Sequence, residues 1–440
     1  MKQLESSNVK NWMLAGAACA ALIIPAVPAL AANSPNFAPT SFASAGDPTV
    51  AAFYASRRGA PLWFGHGPDS AAARELFSVL ERAPLDGFDA GPALAAQAQL
   101  LIGRGDLADA DKVLSAAWVR YVGALQTPPS GMIYADSWVR PRRDSAATIL
   151  ARASVAPSLS AHVRQVSSVN PVYNELREAA WSAMQATGGR IDSRVLTSLD
   201  RVRDMPFQKR YVMVDAASAR LYMIEDGRVV DQMKVIVGKS SAPTPMLAST
   251  IYYATLNPYW HVSGDMIRSL IAPNVLQQGM TYLKSHGYQV MAADGPDGDD
   301  AKLLDPSKID WRAVANGQLQ VKVRQLPGPA NSMGHMKFGF PNSYDIYLHD
   351  TPNKDLFASD DRDLSHGCIR LEDAERLGRW MLQRDPHAVT HEAEQNVALP
   401  TPVPIYITYM TAYSDGGQLA FADDPYGKDA GAAASMVALQ

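Results

Sequence analysis

The sequence predicts an α+β chain: a helical N-terminal scaffold followed by a β-rich C-terminal domain with an inserted helical cap. Three observations predict it. Up to about residue 195, apolar residues recur at the 3.6-residue helical period, and beyond about 208 they alternate with the two-residue period of strands. Between 262 and 318 the alternation gives way to short helical segments around a polar loop.

Taken in chain order, the first segment is a targeting signal. Lys2 and Lys10 precede the apolar run "WMLAGAACAALIIPAVPAL", which leads to the small-x-small site Ala29-Leu30-Ala31. This layout predicts a signal peptide over 1–31, cleaved after Ala31, and export of the chain. The run is about as long as the ~18 residues of a membrane span, but Pro25, Pro28 and the cleavage site favour removal over anchoring. Residues 32–47 are rich in Pro, Ser and Ala and read as a flexible leader.

The scaffold, 48–200, begins with a helix in "DSAAARELFSVLERA", where Leu76, Val79, Leu80 and Ala83 share a face and Asp69 or Ser70 caps the start. A second helix, about 107 to 126, carries Leu114, Ala117, Trp118, Tyr121, Val122 and Leu125. A third, near 171 to 186, carries Leu176, Ala179, Ala180 and Ala183. These stripes, aromatic residues included, are core-facing by their spacing.

The β-rich domain, 208–425, opens with "RYVMVD" and "ARLYMIEDGRVVDQMKVIVG", with Asp226-Gly227 as a hairpin turn. Further strands are expected at "TIYYATL", "LQVKVRQ", "DIYLHD", "PIYITYM" and "QLAFA", before a tail at 426–440. The break at 262–318 is expected to cap the site, since long insertions in compact domains are usually functional. Its Asp294, Asp297, Asp299 and Asp300 lack EF-hand spacing and read as a solvated loop.

The formal net charge of -4 offers no basic footprint, so no nucleic-acid partner is expected. The chain has two cysteines, Cys19 and Cys368, and the first leaves with the signal. An exported chain then keeps one thiol, which is inert and buried, pairs between molecules, or is a nucleophile. His261 and His335 lie in the same half, but no paired metal-ligand spacing accompanies Cys368. No metal or cofactor is expected.

The surroundings of Cys368 favour a nucleophile. In "LSHGCIRLED", His366 is too close in sequence to face the sulfur readily, whereas His349 ends the strand "YDIYLHD" and is the expected base. The N–H groups of Gly367 and Cys368 are expected to form an oxyanion hole. Ser365 and His366 are expected to shape the substrate pocket, and Arg370 to take a substrate carboxylate.

His349 followed by "SHGC" at 365–368 resembles the signature of L,D-transpeptidases with a YkuD-like catalytic domain. "KFGFPNSYDIYLHDTP", "VIVGKSSAPTP" and "NPYWHV" are similar to that family too, as are "FYASRRGAPLWF" and "DDPYGKDA" to its long, Gram-negative periplasmic branch. The resemblance implies a periplasmic enzyme that builds 3→3 peptidoglycan crosslinks in two steps. Cys368 attacks a tetrapeptide stem, and a diaminopimelate amine takes the acyl group. His349 acts as base and acid, a backbone carbonyl near Asp350 orients it, and Tyr347 and Trp260 join the substrate site. It further implies stem peptides as partners, other wall-synthesis proteins beside them, and carbapenems as inhibitors. Water or a protein lysine as acceptor would make the same site an L,D-carboxypeptidase or a wall-protein attachment enzyme, and an attached lipoprotein bond as donor would make it a detaching hydrolase. A non-catalytic wall-binding scaffold is the alternative of another class. The peptidoglycan-binding domain usual in that branch has no room here, since only "EAAWSAMQATGGRIDSRVLTSLDRV" lies between scaffold and β-rich domain.

Overall fold

The computed structural model describes residues 47–430, apart from 66, 68–69, 205, 207, 297–299 and 387–391. The expected signal peptide, Cys19, the leader before Asp47, Asp69, Asp297, Asp299 and the tail beyond residue 430 lie outside the described residues.

The N-terminal half is built from α1 (Pro48–Ser56), α2 (Ala71–Arg82), α3 (Gly91–Arg104), α4 (Leu107–Leu125), α5 (Ala146–Val155), α6 (Leu159–Ser167), α7 (Pro171–Ala186) and α8 (Ser193–Val202). Capping fixes several starts: Ser70 Oγ accepts from Ala73 N at 3.1 Å for α2, and Asn170 Oδ1 from Tyr173 N at 2.8 Å for α7. The stripe of α2 and the aromatic stripe of α4 are buried, with Leu76, Leu80, Trp118 and Tyr121 at 0% exposure. Burial of the Asp111 carboxylate is offset by three backbone donors, the amides of Leu62, Trp63 and Phe64 at 2.7–3.1 Å. They pin the loop before α2 to α4.

This half is not purely helical. A two-residue strand, β1 (Ile133–Tyr134), pairs in parallel with a strand of the β-rich half, β5 (Leu247–Leu256). Two residues are too few for any alternation to show, so only the partner reveals the strand.

The remaining strands are β2 (Arg210–Asp215), β3 (Arg220–Glu225), β4 (Arg228–Gly238), β6 (Trp260–Val262), β7 (Tyr288–Ala292), β8 (Val321–Gln325), β9 (Met336–Gly339), β10 (Tyr347–His349), β11 (Asp363–Ser365), β12 (Ile369–Leu371), β13 (Gln395–Thr408), β14 (Ala412–Asp415) and β15 (Gln418–Phe421). β2 and β3 pair antiparallel, and β3 and β4 form the hairpin across Asp226-Gly227. The main sheet runs β1-β5-β13-β2-β3-β4-β12-β10-β9, and β9 also pairs with β5, so the sheet closes on itself. Its interior holds Val212, Leu221, Val235, Ile251, Phe338 and Leu348.

The insertion differs from a purely helical cap. It contains α9 (Gly264–Met266), α10 (Ala272–Gln278), α11 (Met280–Ser285) and α12 (Trp311–Ala315), together with a separate sheet in the order β6-β8-β7. The strand in "LQVKVRQ" belongs to this sheet rather than to the main one. A core of its own includes Trp260, Ile271, Val275, Trp311 and Val323. β8 is the strand expected at "LQVKVRQ", whereas β6 and β7, of three and five residues, leave too little alternation to read. α13 (Ala374–Leu382) buries Leu377 and Met381 against the main sheet.

Candidate active site

β10 and β12 lie side by side and parallel, with Leu348 opposite Ile369 and His349 opposite Arg370. Alternation then sorts the side chains. Leu348, Ile369 and Leu371 point into the core at 0% exposure. Tyr347, His349, Cys368 and Arg370 share the other face, and the Tyr347 and His349 rings stand 5.6 Å apart. The imidazole and the sulfur therefore sit on one side of the sheet, on neighbouring strands.

His349 is 3% exposed, and its Nδ1 lies 2.6 Å from the Asp350 carbonyl. A carbonyl only accepts, so Nδ1 carries the proton and Nε2 is the bare, basic nitrogen. Burial pushes the imidazole pKa down to about 4, with the Arg370 and Lys337 charges adding to that effect. The ring is neutral at neutral pH. Asp350 is fixed in turn: its carboxylate accepts from Lys354 Nζ at 2.7 Å and from His335 N at 3.0 Å.

Cys368 is half-buried, and burial pushes its thiol above the ordinary value. The Tyr347 backbone N–H, the Tyr347 hydroxyl and the Arg370 guanidinium work in the opposite direction. The thiol donates to the Asp345 carbonyl at 3.6 Å, and among the described residues no hydrogen bond joins it to His349. The resting pair is thus a neutral thiol beside a neutral imidazole. The Arg370 guanidinium has neither an ion pair nor a hydrogen bond among the described residues, and burial holds its pKa below the usual guanidinium value.

The loop before Cys368 departs from expectation at two residues. Gly367 N donates to Ser365 Oγ at 3.1 Å, so this amide is not free to meet an oxyanion. The Ser365 hydroxyl also donates to the Cys368 carbonyl at 2.6 Å, and the side chain is 3% exposed. It braces the turn instead of lining a pocket. Gly367 has φ +112, where a side chain is strained, and a Cβ there would lie 2.9 Å from Ile346 Cδ1. The Cys368 amide has no partner among the described hydrogen bonds. His366 is exposed, its Nε2 accepting from Lys239 Nζ at 3.2 Å.

Models of two known families match the chain. Residues 209–405 match the model of the YkuD L,D-transpeptidase catalytic domain. The chain carries an L,D-transpeptidase catalytic domain. Residues 48–179 match the model of the Scaffold domain. A Haemophilus influenzae protein provisionally named an L,D-transpeptidase is 25% identical over 395 residues, covering 87% of this chain and 78% of its own. Among solved structures, an L,D-transpeptidase from Mycobacterium smegmatis is similar over 46% of this chain and 58% of its own, at 14% identity and TM-score 0.23. Mycobacterium tuberculosis L,D-transpeptidase 3, solved with a faropenem-derived adduct, is similar over 46% and 60%, at 14% identity and TM-score 0.22. The chain spans little more than half the length of these solved chains.

Within the transpeptidase domain, one expected site residue belongs elsewhere. Trp260 is 8% exposed in the core of the insertion, its ring 6.2 Å from that of Tyr288. An aromatic residue in an apolar stretch reads alike as pocket or core until its neighbours are known. Tyr347, by contrast, packs against that same core while its hydroxyl meets the Cys368 sulfur, so it joins insertion to nucleophile.

Two supporting residues of the transpeptidase domain escape a motif-centred reading. Asn342 Oδ1 accepts from Tyr344 N and Ile346 N at 3.0–3.1 Å, shaping the turn whose Asp345 carbonyl holds the thiol. The Pro341-Asn342 pair is a turn signal that would have located it. Thr244 Oγ1 accepts from Gly238 N at 2.9 Å and donates to the Gly367 carbonyl at 2.8 Å, tying the motif to the end of β4. Nothing local in "SSAPTP" marks it.

Proposed function

We propose that this chain is a periplasmic peptidoglycan L,D-transpeptidase that forms 3→3 crosslinks through a thioester on Cys368. The observation that carries the reading is the juxtaposition on one sheet face of a half-buried thiol, a neutral imidazole of fixed tautomer and a guanidinium without a partner among the described residues. The signal layout of residues 1–31 supports export.

The thiol swings from the Asp345 carbonyl toward His349 Nε2, which takes its proton as the sulfur attacks the carbonyl carbon of the third stem residue. The Cys368 N–H and the Tyr347 hydroxyl are the donors assigned to the developing oxyanion. His349 returns the proton to the nitrogen of the departing D-alanine as the C–N bond breaks, leaving a thioester. A diaminopimelate amine then attacks the thioester, His349 accepts the amine proton, and the C–S bond breaks to regenerate the thiol. Arg370, without a carboxylate of its own, suits a stem carboxylate.

The test is mass spectrometry of products after incubation with disaccharide-tetrapeptide. Wild type is expected to give crosslinked dimer, and a correctly folded Cys368→Ala variant none. Tripeptide in place of dimer would make water the acceptor, and identical products from both proteins would overturn the reading. Meropenem is expected to leave one covalent adduct, on Cys368. A folded wild-type protein that never forms it lacks the nucleophile proposed here.

A further inference from the structure

The helical half holds a cavity of about 640 Å³ for which the transpeptidase reaction has no use. Trp118 and Ile149, both buried, line its apolar part, together with Val122. Arg142, Arg152 and His162 line its more exposed part.

Two features make it more than a packing defect. Trp118 is 0% exposed, yet its indole N–H has no hydrogen-bond partner among the described residues. A buried donor left unpaired is costly and uncommon. The neighbouring Trp63 shows the ordinary solution, its indole donating to Ser115 Oγ at 2.9 Å. The second feature is the charge balance. Asp144 is the carboxylate lining the cavity, and it is already engaged by Arg152 at 2.6 Å and by Gln126 Nε2 at 2.9 Å. Arg142 has no ion pair or hydrogen bond among the described residues, so the opening carries a net positive charge on a chain of formal charge -4. The ring of His162, 5.9 Å from that of Trp118, likewise has no hydrogen-bond partner among the described residues.

We propose that this cavity is a non-catalytic binding subsite for a carboxylate-bearing peptide, with Arg142 and Arg152 taking a carboxylate and the Trp118 indole donating to an amide carbonyl. A peptidoglycan stem has both groups, and naming it as the ligand rests on the function proposed above. Such a subsite would hold the polymer on the scaffold, in a chain with no separate wall-binding domain between α7 and α8.

The experiment uses the full chain with Cys368→Ala, so that bound peptide is not consumed, and with 15N-labelled tryptophan. The indole signal of Trp118 is assigned by its loss in Trp118→Phe or, if that variant does not fold, by its proximity to the His162 ring. Titration with the stem tetrapeptide L-Ala-γ-D-Glu-meso-diaminopimelate-D-Ala is expected to shift this signal saturably. Arg142→Ala, a change at an exposed position, is expected to weaken the apparent Kd about tenfold, the loss of one modest charge-assisted contact. An N-acetylglucosamine dimer, which has amides but no carboxylate, is expected to leave the signal in place. A Trp118 signal unmoved by millimolar tetrapeptide overturns the subsite, as does equal binding by Arg142→Ala or by the sugar. Crosslinking without this shift removes the subsite and keeps the enzyme, whereas the shift without crosslinking does the reverse.

Discussion

Cys368 rests protonated because burial outweighs the donors around it, and His349 rests neutral for the same reason. A preformed thiolate–imidazolium pair needs the opposite shifts, a depressed thiol and a raised imidazole. Two consequences separate the cases. Alkylation of Cys368 by iodoacetamide, followed by mass spectrometry, is expected to accelerate about tenfold per pH unit from neutrality to beyond pH ~8.5, because only the thiolate reacts. A rate already level below about pH 7 would mean a standing ion pair and would refute the neutral resting state. Turnover would behave differently, since in the mechanism proposed above His349 removes the proton only during attack. Its low-pH limb is expected near 4, not near the ordinary histidine value of about 6.5. The nearness of the two residues on one sheet face was legible in the sequence, Cys368 as the one thiol beyond the expected signal segment and His349 as the end of an alternating strand. Their protonation states were not, because burial of a side chain depends on elements far away in the chain.

The turn between β11 and β12 depends on one hydroxyl. Ser365 Oγ serves the Cys368 carbonyl and the Gly367 amide at once, and the side chain is buried where water does not replace it. Ser365→Ala leaves both backbone groups unpaired, at a cost of about 2 kcal/mol for a buried unsatisfied group. The expected outcome is a lower melting temperature and meropenem acylation slowed by an order of magnitude or more. Ser365→Thr, which keeps the hydroxyl, is expected to recover most of the acylation rate. A fully stable Ser365→Ala that acylates at the wild-type rate would show that the turn holds without the brace. The elements easiest to read in the sequence were those with long, repeated patterns, such as α4 with its aromatic stripe or the β3–β4 hairpin with Asp226-Gly227. β9, β11 and β12, at three or four residues each, carry no pattern of their own, and β12 exists because β4 and β10 flank it. Trp260 was misplaced for a related reason: the core that absorbs it is assembled from α10, α12 and β8, none of which is adjacent to it in sequence.

The two halves share one core. The cluster built on Trp118, Tyr121 and Leu176 also takes in Tyr211, Met213, Ile224 and Tyr406 from the main sheet, and Met410 just beyond β13. α8 is tied to the other half through Thr408 Oγ1, which donates to the Arg201 carbonyl at 2.9 Å, and Ser198 Oγ, which accepts from Ala412 N at 3.0 Å. Asp204 sits at this junction, 1% exposed, accepting from the Tyr134 hydroxyl of β1 at 2.7 Å. Desolvation raises its pKa from 3.8 to about 7, against the pull of Tyr134 and Arg203. The folded chain therefore holds a proton on Asp204 at pH values where the unfolded chain has released it. The stabilisation is complete below the unfolded value near 4 and is lost as pH rises through about 7, a change on the order of 4 kcal/mol for a group buried this deeply. Asp215, also buried, is raised to about 6 and works in the same direction. His349, depressed to about 4, gains stability with pH between its folded value and about 6.5, but it does so equally in any variant at position 204. Asp204→Asn keeps an acceptor for Tyr134 and removes the titration. Between pH 5 and 8 the melting temperature of wild type is expected to fall relative to the variant, with helical and β signals lost together in one transition because the core is common to both halves. Parallel pH dependence in the two proteins would place the proton elsewhere. Separate transitions for helix and sheet would mean that the shared core does not couple the halves.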